Sequence, residues 1–202
     1  MALAPGTHGS LLLRVRDSAD GPAWAQFVQI YAPLIYGFAR KKGLQDADAA
    51  DLTQDVLTAC ARALRGLEYD PARGSFRGWL FTAVRRQLAR FWQRRSRQAQ
   101  GTGDTEMLHV LGEQVAPEEE ATWDLDFERR LFHWAAAQVR HCVSETSWQA
   151  FQQTALDARD PKDVARTLGL TVAAVYMAKS RVLARIKELI EEAQNAQQSG
   201  TV

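Results

Sequence analysis

Long apolar runs are absent from this sequence of 202 residues. No run approaches the roughly 20 apolar residues that a transmembrane helix needs. The first residues, MALAPGTHGSLLLRVRD, contain only a brief leucine run, without a basic region before it or a small-residue cleavage site after it. They do not resemble a signal peptide, so we expect no membrane segment and a cytoplasmic location.

Cysteine is scarce, and the two copies, Cys60 and Cys142, do not form a Cys-x-x-Cys pair. Both fall at apolar positions of helical patterns, which favours buried free thiols over a disulfide or a zinc site. His133 and His141 lie near Cys142, but their spacing matches none of the common zinc-ligand patterns. We therefore predict no metal site.

The sequence also lacks the parts of an enzyme active site. It has no Gly-rich loop that would hold phosphates, and no nucleophile placed beside a base. Asp48, Asp51 and Asp55 share one helical face in DADAADLTQDV, but no His or Cys joins them. Such a face is usually solvated and stabilised by the helix dipole, and a basic protein surface suits it better than a metal. We expect no catalytic activity and no cofactor.

Strand-like alternation of Val, Ile and Thr is absent throughout, so the sequence predicts an all-α fold. Apolar residues recur at helical spacing from Trp24 to Phe38, and again over residues 46–67. Pro33 is expected to bend or break the first of these helices, which Asp20 or Ser18 would cap. A third helix is predicted to begin near residue 75.

The net charge of +1 conceals a strong separation of charge along the chain. Residues 71–100 contain eight arginines and no acidic residue, whereas residues 101–128 contain nine acidic residues and no Lys or Arg. Helical periodicity is lost after residue 96, where Gln, Gly, Glu and Asp dominate. We interpret residues 99–122 as a flexible acidic linker, with room for a short helix at 107–111.

The basic stretch GSFRGWLFTAVRRQLARFWQRRSR, from Gly74 to Arg97, combines seven arginines with Phe and Trp side chains. Phe76 and Trp79 fall on its apolar stripe and are predicted to lie in the core. Phe91 and Trp92 adjoin arginines, and aromatic rings interleaved with arginines suit unstacked bases along a phosphate backbone. A merely solvated basic face, or one that lies on an anionic membrane, is the alternative interpretation.

After the linker, helical periodicity resumes near Trp123 and ends with DPKDVARTLGLTVAAVYMAKSRVLARIKELIEE. Asp160 and Thr171 are the predicted caps, Pro161 takes the first helical position, and Gly169 provides the turn. A short helix, a glycine turn and a longer basic helix form a helix-turn-helix pattern, although plain helical hairpins share it.

Small and hydroxyl residues lead the second helix of this pattern, and basic residues follow. That order is expected when a helix enters a major groove by its N-terminus and contacts phosphates further along. The outward positions are Thr171, Ala173, Ala174, Tyr176, Met177, Lys179, Ser180, Arg181 and Arg185.

Together these features resemble a bacterial RNA polymerase sigma factor. The order of DAADLTQDVLTACARAL, the arginine-rich stretch, a linker and a helix-turn-helix, over about Trp24–Ile190, is similar to the short, two-domain extracytoplasmic-function (ECF) class of the sigma-70 family. The resemblance implies a domain at 1–98 that binds core polymerase and the −10 element. It also implies the linker at 99–122, a −35-reading domain at 123–191 and a disordered tail at 192–202.

The resemblance also implies roles for individual residues. Docking on the polymerase would fall to Asp48, Asp51, Leu52, Gln54 and Asp55. Recognition and melting of the −10 element would fall to Arg73, Arg77, Arg85, Arg86, Arg90, Phe91, Trp92, Arg94 and Arg95. The nine outward residues above would read the −35 element. Family members commonly have Asn at the position of Arg86 and an acidic residue near Arg90.

The implied partners are core RNA polymerase, promoter DNA in duplex and melted form, and an anti-sigma factor as a further candidate; no membrane is implied. The alternative hypothesis is a two-domain helix-turn-helix regulator that binds duplex DNA independently of polymerase. An enzyme acting on nucleic acid is a third hypothesis, which the lack of a metal-ligand cluster disfavours.

Overall fold

The structure is a computed structural model that describes residues 11–66, 76–98 and 117–198. All regular secondary structure in these ranges is helical, so the all-α prediction is confirmed. None of the described helices is both long and apolar enough to cross a membrane. The α-helices are α1 (Leu11–Arg16), α2 (Gly21–Lys41), α3 (Asp46–Gly66), α4 (Phe76–Gln98), α5 (Pro117–Arg140), α6 (Glu145–Phe151), α7 (Pro161–Leu168) and α8 (Val172–Gln198). A π-helical turn (Gln152–Leu156) directly follows α6.

Contacts divide the described chain into two compact units. The first unit extends as far as Arg130, and the second comprises Leu131–Gln194. This division falls inside helix α5, whereas the sequence placed the start of the second domain at residue 123. The helix itself begins at Pro117, so residues 117–122 of the proposed linker are helical. Residues 99–116, including the short helix expected at 107–111, lie outside the described ranges.

Helix α2 is the central apolar element of the first unit. Its buried residues follow the helical spacing that the sequence shows, and the helix continues unbroken through Pro33. A proline inside a helix costs about 3 kcal/mol because it removes a backbone donor and crowds the preceding turn. The fully buried side chains of Leu34 and Ile35 directly after it bury enough apolar surface to offset that cost. The predicted break at Pro33 is therefore wrong.

Asp20 caps α2, as the sequence predicts. Its side chain accepts a hydrogen bond of 2.9 Å from the backbone N–H of Ala23. Arg14, from α1, donates to both carboxylate oxygens of Asp20, at 2.8 and 3.0 Å. These bonds, led by that from Arg14, lower the pKa of Asp20, and they tie the short helix α1 to the start of α2.

Helices α3 and α4 pack against each other beside α2, and α4 buries Phe76, Leu80, Phe81, Val84 and Leu88. Trp79 is 38% exposed, so its predicted place in the core is wrong. Its indole stacks on the ring of Phe76, with the ring centroids 5.4 Å apart. The residue lies at the margin of the apolar stripe, where a large ring keeps one side on the core and the other side in solvent.

The two cysteines are both free, but their surroundings differ. Cys60 is buried in α3, as predicted, whereas Cys142 is exposed. Helix α5 ends at Arg140, and Cys142 follows in a turn where the helical periodicity no longer determines which residues face the core. The predicted burial of Cys142 is therefore wrong.

We expect one thiol, that of Cys142, to react rapidly with DTNB in the native protein. Burial raises the pKa of the Cys60 thiol from 9.0 to about 12, so its reactive thiolate is scarce at neutral pH. The stabilisation from burying this neutral thiol is complete below pH 9 and is lost as the pH rises towards 12. Titration should count one fast thiol per native chain and two after denaturation. Rapid reaction in a Cys142→Ser variant would contradict this expectation.

The first part of α5 belongs to the first unit and packs on α2 and α4 through two fully buried aromatic residues, Trp123 and Phe127. The ring centroid of Trp123 lies 5.4 Å from that of Phe38 and 5.3 Å from that of Phe81. Phe127 stacks on Tyr31 with a centroid separation of 5.7 Å. We call residues 117–130 of α5 the acidic anchor.

The second unit has two buried apolar clusters. One joins the last turns of α5 to α6 and α8, with Val139, Phe151 and Ile186 among its members. The other joins α6 to α7 and α8, and it includes Val164 and Val175. The outward face of α8 does not contribute to either cluster, which leaves it available to solvent.

Helices α7 and α8 meet at the glycine turn that the sequence predicts. Gly169 adopts a left-handed backbone conformation with φ of 66°, which favours glycine. Asp160 caps α7 by accepting a hydrogen bond of 2.7 Å from the N–H of Lys162. The Thr171 hydroxyl accepts a bond of 3.1 Å from the N–H of Ala174 in the first turn of α8. Both predicted caps are confirmed.

Candidate nucleic-acid interface

Helix α4 carries eight of the nine residues predicted to contact the −10 element, and Arg73 lies outside the described ranges. The core residues of α4 fix the orientation of the helix, so the arginines project from its remaining surface. Four of them are exposed, namely Arg86, Arg90, Arg94 and Arg95. The other four side chains are partly buried, namely Arg77, Arg85, Phe91 and Trp92.

Phe91 and Trp92 contact each other near the end of α4. Their ring centroids are 5.3 Å apart in an edge-to-face arrangement, with an interplanar angle of 81°. The guanidinium of Arg95 lies 6.0 Å from the centroid of the Trp92 ring. The pair thus forms a partly exposed aromatic surface beside cationic groups, as the sequence predicts for base stacking.

A groove of about 560 Å³ lies between the first half of α3 and the second half of α4, and we call it the mixed-charge groove. It brings all five residues predicted to bind polymerase together with three predicted to contact DNA. Leu52 lines it but is largely buried, so its polar neighbours supply most of the accessible surface. The groove is lined by Asp48, Asp51, Leu52, Gln54, Asp55, Gln87, Phe91, Arg94 and Arg95.

Opposite charges face each other across this groove. The Nη1 atom of Arg95 lies 3.6 Å from a carboxylate oxygen of Asp48. Solvent-exposed ion pairs of this kind contribute about 0–1 kcal/mol, so a partner can replace them at little cost. Neither Asp51 nor Asp55 forms an ion pair with another described residue, and both are exposed. These two carboxylates are the free anionic groups of the groove.

A smaller pocket of about 200 Å³ also lies between α3 and α4, and we call it the Trp79 pocket. Trp79, Arg86 and Arg90 line it, together with the small residues Ala59 and Ala83. Sequence reasoning did not place Trp79 beside these arginines, because its position also fits the apolar stripe. Its spacing of seven and eleven residues from the two arginines is the signal that could have shown that the three residues share one face of α4.

The acidic anchor contacts basic residues of α2 and α4. Arg77 Nε lies 2.7 Å from a carboxylate oxygen of Asp124. Arg85 Nε lies 3.5 Å from Glu119, which also forms an ion pair with Lys42. Two residues with predicted roles in DNA binding are thus paired within the chain. The sequence, which assigned residues 99–122 to a linker, did not indicate these contacts.

In the second unit, α8 presents the residues predicted to read the −35 element. Tyr176 and Met177 are the most exposed large apolar residues of the described chain, and Met177 reaches 61% exposure. Arg181 donates a hydrogen bond of 3.3 Å to the backbone carbonyl of Met177. Arg185 forms an ion pair of 2.8 Å with Glu188, and the hydrogen bond that Arg185 donates to this carboxylate raises the pKa of Arg185.

The remaining predicted −35 residues also lie on the outer side of the α7–α8 pair. Thr171, Ala173 and Ser180 are exposed, and Ala174 and Lys179 are partly buried. The face therefore begins with small and hydroxyl side chains and ends with basic ones. Among the described residues of both units, no group of three or more His, Cys, Asp or Glu side chains is placed to hold a metal ion.

Comparison with known proteins finds sigma factors similar to this chain. The family described as Sigma-70 region 2 matches residues 27–98, which contain most of α2 and the whole of α3 and α4. The ECF RNA polymerase sigma factor RpoE of Cereibacter sphaeroides is 33% identical over 76 residues, which cover 38% of this chain and 41% of RpoE. The chain thus matches less than half the length of that relative.

Two other relatives match over nearly their whole length. The RNA polymerase sigma factor CnrH of Cupriavidus metallidurans is 29% identical over 195 residues, covering 93% of this chain and 96% of CnrH. The RNA polymerase sigma factor NccH of Alcaligenes xylosoxydans xylosoxydans is 26% identical over 186 residues, covering 91% of this chain and 95% of NccH. The similarity therefore extends through both compact units.

Proposed function

Because residues 27–98 match the Sigma-70 region 2 family and the chain is similar to three sigma factors, we propose that it is a sigma factor of the ECF class, which binds core RNA polymerase and directs it to promoters. The observation that carries this proposal is the mixed-charge groove. It lies within the matched residues 27–98, and an acidic face of α3 meets the basic, aromatic end of α4 there. A factor that must hold a protein and open DNA at adjacent sites needs such a pair of surfaces.

Polymerase binding is assigned to the acidic side of the groove. Asp51 and Asp55 are exposed, and neither forms an ion pair with another described residue. Gln54 lies between them in the sequence. A basic surface on the polymerase would meet these carboxylates in a partly desolvated interface, where close charge pairs contribute strongly. Asp48 and Leu52 complete the proposed contact, Leu52 by supporting the helix from its buried side.

Recognition and melting of the −10 element are assigned to the exposed part of α4. Arg86 and Arg90 flank the Trp79 pocket, and Phe91 and Trp92 add a second aromatic surface. Stacking of a base on an aromatic side chain contributes about 1–3 kcal/mol, which is comparable with the few kcal/mol that removing a base from the duplex costs. Arg73, Arg94 and Arg95 remain proposed phosphate contacts.

Recognition of the −35 element is assigned to the outer face of α8. A helix that places its N-terminal residues in the major groove can read base edges there, while basic residues further along contact phosphates. Tyr176 and Met177 stand in the first turns, and Lys179, Arg181 and Arg185 follow. An anti-sigma factor that covers the faces of α4 and α8 is a further proposed partner.

In vitro transcription with purified core polymerase tests the proposed function. We expect the chain to support initiation from a subset of a broad promoter library. Initiation should fall at least about tenfold when either the −10 or the −35 segment of a selected promoter is randomised, because each mismatched base pair costs about 1–3 kcal/mol. Core polymerase alone is the control.

Two outcomes would contradict the proposal. The absence of promoter-specific initiation across the library would remove the sigma-factor function. Tight binding to duplex DNA without any association with core polymerase would instead support a regulator that acts independently of polymerase. Several arginine–phosphate contacts would make DNA binding depend steeply on salt for a sigma factor and for an independent regulator alike. The salt dependence therefore does not distinguish the two functions.

A further inference from the structure

The acidic anchor is firmly attached to the first unit. Trp123 is 1% exposed and contacts the rings of Phe38 and Phe81, at centroid distances of 5.4 and 5.3 Å. Full burial of side chains as large as Trp123 and Phe127 contributes several kcal/mol relative to their exposure. These two residues hold the first turns of α5, which carry most of the helix's carboxylates, against the surface of α2 and α4.

The carboxylates of the anchor meet the arginines of α4 in close pairs. Arg77 Nε lies 2.7 Å from a carboxylate oxygen of Asp124, and the guanidinium of Arg77 also lies 5.2 Å from the centroid of the Phe127 ring. The side chains of Arg85 and Glu119 are only 12% and 15% exposed, and they approach to 3.5 Å. Both arginines are therefore partly covered as well as neutralised.

Carboxylates and phosphates are recognised by the same arginine groups, through the same charge-assisted hydrogen bonds. A phosphate of the promoter can bind Arg77 and Arg85 only if their ion pairs with Asp124 and Glu119 break. Arg86, Arg90, Arg94 and Arg95 stay exposed, so the anchor covers only part of the basic surface of α4. The consequence is a weakened, not an abolished, affinity for nucleic acid.

We propose that the acidic anchor is an intramolecular competitor of promoter DNA. It occupies Arg77 and Arg85 in the free protein and must release them before the whole basic surface of α4 can engage DNA. This inference rests on the proposed role of α4 in −10 binding. The acidic anchor thereby has a proposed regulatory function, although the sequence analysis assigned its first residues, 117–122, to a linker.

The salt dependence of binding provides a quantitative signature. Each phosphate neutralised on a single strand contributes about 0.7 to the slope of log affinity against log salt concentration. Release of two arginines from the anchor should therefore steepen that slope by about 1.4. A general change in net charge alters the affinity without adding these two contacts.

The test compares two double variants of the full chain that carry the same change in net charge. Glu119→Gln with Asp124→Asn removes the carboxylates that hold the arginines. Glu120→Gln with Glu128→Gln removes two exposed carboxylates of the same helix that have no ion-pair partner among the described residues. Fluorescence anisotropy with a labelled single-stranded oligonucleotide, across a series of salt concentrations, measures the affinity of each protein.

We expect the Glu119/Asp124 variant to bind the oligonucleotide about tenfold more tightly than the unmodified chain, with the steeper slope. The control variant should change the affinity by less than about threefold and leave the slope unchanged. The single variant Asp124→Asn changes only the more exposed of the two pairs and should give an intermediate gain in affinity. It keeps the inference testable if the double variant does not fold. Thermal unfolding of every variant confirms that it is folded.

Equal gains in the two double variants, with equal slopes, would overturn the inference while leaving DNA binding by α4 in place. A complete lack of binding by all four proteins, to single-stranded and duplex DNA alike, would overturn both the inference and the proposed −10 role of α4. The two failures are therefore distinguishable from the same measurements.

Discussion

Replacement of Asp51 and Asp55 by arginine is expected to abolish binding to core RNA polymerase. The two carboxylates are exposed on α3 at the mixed-charge groove, and neither has an ion-pair partner among the described residues. The double substitution places two positive charges where the proposed polymerase surface is basic. Like charges brought together in an interface cost several kcal/mol, so we expect at least about a hundredfold loss of affinity.

The same substitution should leave the fold intact. Exposed positions without specific contacts usually change the free energy of unfolding by no more than about 0.5 kcal/mol. Asp157→Arg with Glu192→Arg, at exposed positions of the second unit, makes an equal change in net charge and serves as the control. Titration of labelled chain with purified core polymerase measures both affinities.

The result also separates the two candidate functions. On the sigma-factor proposal, the Asp51/Asp55 variant loses polymerase binding and initiation, while the control keeps both. If the variant binds polymerase as tightly as the unmodified chain, the groove is not the docking site. If the unmodified chain itself shows no binding to polymerase but does bind duplex DNA, the independent regulator becomes the better description.

Truncation of Trp123 to alanine is expected to destabilise the first unit by about 3–5 kcal/mol, since Trp→Ala substitutions in well-packed cores typically cost that much. The indole is 1% exposed and contacts two rings of the core, so its removal leaves a cavity. With a typical domain stability of about 5–15 kcal/mol, this is a large fraction of the total. Denaturation by urea, followed by circular dichroism, measures the change.

Leu125→Ala is the matched control, because Leu125 lies on the same helix two residues later and is 54% exposed. We expect its effect on the free energy of unfolding to stay within about 0.5 kcal/mol. Equal small effects of the two substitutions would show that the first turns of α5 do not pack on the first unit in solution. That outcome would also remove the structural basis of the intramolecular competition.

Helix boundaries could be predicted well wherever caps and periodicity agree. The second helix was predicted at 46–67 and is found at Asp46–Gly66, and the third was predicted from residue 75 and begins at Phe76. Asp160 and Thr171 hold the backbone groups that their positions suggest. Short polar side chains before an apolar repeat have few alternatives to capping, which makes this kind of signal dependable.

The start of α5 at Pro117 was not predicted, although the sequence there contains favourable helix-start residues. Pro117 followed by Glu118, Glu119 and Glu120 is a favourable first turn, because proline suits the first helical position and carboxylates suit the positive end of the helix. The acidic composition of the surrounding stretch masked that signal and favoured a linker.

The contacts of the candidate site were beyond prediction for a different reason. Lys42 and Glu119 form an ion pair although they are far apart in the sequence, and no periodicity relates such positions. The exposure of Trp79 depends on how closely α3 approaches α4, which is a property of the packed helices. Sequence patterns identified the charged and aromatic groups, and only the folded chain determines which of them are already paired.

The separation of outward and inward residues on α8 has a consequence for the divergence of this protein. Val175, Ala178 and Val182 are buried, while Tyr176 and Met177 point to solvent. Substitutions at the exposed pair cost little stability, so the proposed reading surface can mutate without endangering the scaffold. A duplicated gene could thus acquire a new set of target promoters through a few changes on one helix, which also makes α8 a suitable place to engineer orthogonal transcription circuits.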